Sequence, residues 1–84
     1  MNISELRSEL EKIGLDKKKY NLGNRPIREL ELGLIKEDNK WIVYQSFEKG
    51  GYNIIKTFDN EEEACSLILY FLKLEKKKET MLNS

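Results

Sequence analysis

The sequence predicts a small α+β domain: a two-layer arrangement in which a three-stranded antiparallel meander carries an N-terminal and a C-terminal helix on one face. Three observations predict it. Apolar residues recur at helical spacing over 3–13 and stop at a glycine. Residues 28–58 alternate apolar and polar through two turn signals. The run "DNEEEA" at 59–64 then opens a segment free of Gly and Pro with a wide apolar face.

In the first helix Ile3, Leu6, Leu10 and Ile13 share one side, Asn2 or Ser4 can cap the start, and Gly14 can close the end in a left-handed conformation. "LDKKKYNLGNRP" mixes charge, Gly, Asn and the only Pro, so it reads as a loop with room for one short helical turn. "RELELGLI" follows as a strand, with Leu30, Leu32 and Leu34 on one side and Glu29, Glu31, Gly33 and Ile35 on the other. "KEDNK" turns the chain into "WIVYQSF", and "EKGG" turns it again into "YNIIKTF".

A two-residue turn at Asp38-Asn39 and a four-residue loop give the same first register, with Gly33 opposite Tyr44 and Ile35 opposite Ile42. The same parity at Lys49-Gly50 sets Phe47 opposite Tyr52 and Tyr44 opposite Ile55. The inner face then holds Leu30, Leu32, Leu34, Trp41, Val43, Phe47, Tyr52, Ile54 and Phe58, interrupted by Gln45 and Lys56. For the last helix, Asp59 reads as the N-cap with Glu62 completing a capping box, the expected span is about 60–77, and "ETMLNS" is expected to fray.

Eighty-four residues make one domain, with 39% apolar residues for a modest core and 36% charged residues to solvate the rest. Fifteen basic residues balance fifteen acidic ones, so no net charge draws the chain to nucleic acid or anionic lipid. A single cysteine allows no internal disulfide, and the absence of histidine argues against a zinc site; no cofactor is expected. The charged, amphipathic N-terminus lacks a signal peptide's apolar core, and no apolar run reaches the roughly 18 residues of a membrane span. A cytoplasmic protein is the expectation.

Catalytic signatures are missing. "GNRP" and "KGG" lack the strand and helix that frame a phosphate loop. Cys65 sits one helical turn behind three glutamates, which disfavour its thiolate. Asp59, Glu61, Glu62 and Glu63 fan around a helix axis and do not converge as an acid–base pair or cation cage. The α-β-β-β-α order is shared with double-stranded RNA-binding domains, but where those carry a basic cluster to grip phosphates this chain carries that acidic run.

The outer sheet face is the informative one. Ile35, Ile42, Tyr44 and Ile55 form an apolar centre within a rim that includes Glu29, Glu31, Ser46, Asn53 and Thr57. An apolar centre with a polar rim is how a recognition surface is built. The alternative is a sheet cover supplied by the loop that contains Tyr20 and Leu22.

At "YNLGN", "KWIVYQSFEKGG" and "KTFDNEEEACSLILYFL" the chain resembles small immunity proteins of bacterial polymorphic-toxin systems. Tyr20, Leu22, Trp41, Val43, Tyr44, Gly50, Phe58, Glu62, Ala64 and Cys65 fall on matching positions, and the likeness covers roughly residues 18–72. The resemblance implies a protein without chemistry of its own that binds and neutralises one cognate toxin by occlusion. On that reading Tyr44 is the expected anchor, Ile35, Ile42 and Ile55 its apolar support, and Glu29 and Glu31 the orienting rim charges. The acidic run at Asp59, Glu61, Glu62 and Glu63 is the alternative contact surface. A self-associating module using the same sheet face, and a small RNA-binding module, are the competing functions; monomer and homodimer both fit the residues.

Overall fold

A computed structural model describes residues 1–23 and 26–82, with side chains described as far as residue 78. The chain runs α1 (Ile3–Ile13), a 3-10 turn (Lys17–Lys19), β1 (Tyr20–Asn21), β2 (Leu32–Glu37), β3 (Lys40–Ser46), β4 (Tyr52–Phe58) and α2 (Glu61–Leu82). The sheet has four strands in sequence order. Its mixed character corrects the three-stranded expectation: the two-residue β1 pairs parallel to β2, Tyr20 with Leu32 and Asn21 with Gly33. So short a strand leaves no periodicity to read.

Local signals explain the helix ends. Asn2 accepts from the Glu5 amide and the Glu5 carboxylate accepts from the Asn2 amide, a complete capping box. Gly14 closes α1 at φ 80°. At α2 the cap is one residue later than expected: Asn60 Oδ1 accepts from the Glu63 amide at 2.8 Å, which frees Asp59 to pair with Lys40. With no Gly or Pro to stop it, α2 continues to Leu82, beyond the expected end near 77. The fraying expected from 79 onward falls partly on residues 83–84, which lie outside those described.

The inner face of the sheet meets both helices in one cluster. Leu32, Leu34 and Val43 pack with Leu6 and Leu10 of α1 and with Ala64, Cys65, Ile68 and Leu72 of α2. Tyr20 and Leu22 join this cluster, so they seal the core and do not cover the outer face. Trp41 and Phe58 pack at its margin, partly buried as their parity requires.

The β2–β3 register follows the expectation throughout, closed by Asp38 and Asn39 at φ 50° and 64° in a two-residue turn. The β3–β4 register does not. The Phe47 amide donates to the Gly51 carbonyl, leaving residues 48–50 as a loop of odd length, with Lys49 and Gly50 at positive φ. That shifts the pairing by one, so Tyr52 meets Ser46 and Ile54 meets Tyr44. A bulge between Val43 and Tyr44 takes up the extra residue, Ile55, and restores the expected pairing of Lys56 with Val43 and Phe58 with Trp41. The two slips cancel, but between them Tyr52 and Ile54 change faces.

Candidate protein-binding surface

The outer face is built on a glycine. Gly33 lies opposite Tyr44, and a Cβ at Gly33 would fall among the Cε1, Cζ and Oη atoms of that ring. The missing side chain is the space the tyrosine occupies, an aromatic laid across a cross-strand glycine. Tyr52 meets the ring edge-on at 5.3 Å between centroids. The Tyr44 hydroxyl donates to Glu31 Oε2 at 3.0 Å, and Asn21 Nδ2 donates to the same oxygen at 3.0 Å.

Around this carboxylate the polar groups close on one another. Asn21 Nδ2 also reaches the Pro26 carbonyl, and Asn21 Oδ1 accepts from the Gly23 amide. The Ser46 hydroxyl accepts from the Glu31 amide at 2.9 Å, and the Ser46 amide donates to the Glu31 carbonyl at 2.8 Å. Among the described residues every buried side-chain polar atom has a partner. A network satisfied in this way fixes Asn21 and Glu31 against the sheet.

These contacts correct the expected site. Tyr44 is 0% exposed and Glu31 is 1% exposed, so neither the anchor nor that rim charge reaches solvent. The cover comes from Asn21, which shares the outer face with Gly33, while its neighbours Tyr20 and Leu22 face the helices. Leu30 adopts φ 53° in a turn before β2; it is 63% exposed and lies outside the expected core, with Glu29 beside it in solvent. The turn breaks the alternation that "RELELGLI" displays.

The rest of the patch divides. Ile35 and Ile42 stay paired on the outer face, both half-buried. Ile55 is displaced by the bulge to the helix side, where it lines an open groove of about 510 Å³ with Leu30, Leu32, Phe71 and Leu74, bordered by Lys19 and Glu75. Lys19 and Glu75 pair at 3.7 Å. Sequence parity missed Tyr52 and Ile54, which take the place of Ile55 on the outer face at 43% and 56% exposure. The odd run "EKG" between two extended segments is the signal that could have found them.

Three carboxylates of the acidic run have partners within the fold, although those of Asp59 and Glu62 stay exposed. Glu61 accepts from the Ile3 amide at 2.8 Å, filling an otherwise open donor at the positive end of α1. Glu62 lies 3.9 Å from the N-terminal amine, and Asp59 pairs with Lys40. Cys65 is fully buried, and burial first, then the Glu61 charge, pushes its thiol up to about 11. It is a packing residue, protonated at neutral pH. Burial also raises the Tyr20 hydroxyl, with Glu11 adding to the effect.

Among the described residues no cluster of His, Cys, Asp and Glu could hold a metal ion, and no helix is long and apolar enough to cross a membrane. Comparison with family models, curated proteins and solved structures finds no match to this chain. The exposed apolar groups of the sheet are therefore the chemistry left to interpret.

Proposed function

We propose that the chain is a cytoplasmic immunity protein that binds a bacterial toxin and neutralises it by occlusion, with no catalysis of its own. The resemblance over residues 18–72 supplies the class of partner. The observation that carries a binding role is the outer sheet face, where Ile35, Ile42, Ile54 and Tyr52 leave apolar surface open beside the closed Tyr44 network. The contact surface moves accordingly: Ile42 and Ile35 replace Tyr44 at its centre, Glu29 remains a rim charge, and Tyr44 and Glu31 hold the platform rigid. A rigid apolar face binds without the ordering cost that a mobile one incurs. The acidic helix start loses ground as the alternative, since three of its four carboxylates already have partners.

The test starts from the neighbouring reading frame: a toxin-like C-terminal domain encoded there supports the reading and is co-expressed with the chain. Growth is rescued by the parent chain, and a purified 1:1 complex forms. Ile42→Ala weakens that complex by about 1–2 kcal/mol, the scale of an interface contact near a hot spot, while the variant stays folded with the parent's circular dichroism. No rescue and no complex would end the immunity reading; full affinity in a folded Ile42→Ala variant would remove the proposed face.

A further inference from the structure

We infer that β4 is a pairing edge for a second copy of this chain, joined antiparallel across a twofold axis at Asn53. The direction of the backbone groups carries the inference. The Ser46 amide bonds the Glu31 carbonyl, so the Ser46 backbone faces β2, whereas the Phe47 amide bonds Gly51 and faces β4. Directions alternate along a strand, so Tyr44 faces β2 with Ser46, and Gln45 faces β4. Their partners follow: Asn53 and Gly51 point at β3, while the N–H and C=O groups of Tyr52 and Ile54 point away from the sheet. β4 is the last strand, and no strand among the described residues pairs with that side.

The open segment is complementary to itself. With Asn53 on the axis, Tyr52 of one copy lies opposite Ile54 of the other, twice, and each pair exchanges both of its backbone hydrogen bonds. The same pairing buries two aromatic–aliphatic cross-strand contacts between side chains now 43% and 56% exposed on the outer face. Charge does not oppose it, since residues 52–54 carry no charged side chain. Centring the axis on Ile54 would set the outward Tyr52 against Lys56, whose backbone faces β3 because of the bulge. The bulge at Ile55 and the charge of Lys56 guard the second half of β4 and confine pairing to residues 52–54, which carry neither a charge nor a proline. A second copy is the occupant whose groups match this edge in hydrogen bonding and side chains together.

Light scattering and sedimentation equilibrium on the full chain over micromolar to millimolar concentration test this. The mass rises from 9.9 kDa toward twice that value, and Ile54→Lys raises the midpoint concentration at least tenfold while keeping the parent's circular dichroism. Under mild oxidation Asn53→Cys forms a disulfide-linked dimer, because residues facing each other at a non-hydrogen-bonded pair bring their Cβ atoms within reach. Thr57→Cys, off the axis, does not. A constant 9.9 kDa mass overturns the inference, as does a dimer insensitive to Ile54→Lys or crosslinked through residue 57 and not 53. A monomer that takes up an extended strand of some other protein at this edge overturns the second copy as its occupant.

Discussion

The two hairpins of the sheet share β3 and carry similar alternating sequences, yet one is closed and the other open. In β2–β3, Gly33, Leu34, Val43 and Tyr44 are all buried, covered by helices on one side and by the Asn21–Glu31–Tyr44 network on the other. In β4 every residue from Tyr52 to Thr57 is exposed, although it pairs with β3 along its whole length. Alternation makes a strand possible on either side of β3, but burial depends on what lies above and below it. The closed hairpin is where stability resides, with Ile35 and Ile42 leaving part of its outer face accessible, and the open one extends that surface for partners.

Substitutions in the closed half test this division most severely. Gly33→Val places side-chain atoms where the Tyr44 ring lies, so the ring must leave its site and give up the Glu31 bond. The expected loss is about 3 kcal/mol, the upper end for overpacking a filled site, measured by urea unfolding. A loss below about 1 kcal/mol would mean that the ring is not held there. Glu31→Ala comes next. It removes the acceptor of the Tyr44 hydroxyl and of the Asn21 amide and leaves buried donors unpaired, for about 2–3 kcal/mol. Tyr44→Phe keeps the ring over Gly33 and deletes one hydroxyl, so about 1 kcal/mol is expected. If Tyr44→Phe cost as much as Glu31→Ala, the network would hang on that single bond.

Much of this division was legible in the sequence. The Gly33–Tyr44 pairing followed from the Asp38-Asn39 turn, because parity is preserved through two-residue and four-residue connections alike. Both helices and their common face followed from spacing, and the ends of α1 from its caps, whereas the α2 cap fell one residue later than its acidic run indicated. What parity could not supply was the odd loop at 48–50 and the compensating bulge, since either slip alone would have moved Phe58 out of the core. The cover over Tyr44 was hidden for another reason. It is made by a two-residue strand and a turn with a leucine at positive φ, local conformations that only the tertiary contacts stabilise. Glu31 looked like a rim charge because a lone glutamate in an alternating strand usually is one. Its partners Asn21 and Tyr44 lie ten and thirteen residues away.

The smallest expected effect sharpens the comparison from the open side. Ile54→Lys changes an apolar residue to a charge in the middle of a strand, a substitution that in β3 would be expected to unfold the domain. On β4 the side chain is 56% exposed, its backbone groups point away from β3, and a lysine stem can lie along the face while its amine reaches water. Unfolding measured in dilute solution, where the chain is monomeric, should therefore shift by no more than about 0.5 kcal/mol. The same variant at high concentration loses its association, so one substitution separates surface from core. A loss of about 2 kcal/mol or more in dilute solution, of the size reserved for buried positions, would place Ile54 within the closed half and erase the distinction between the hairpins.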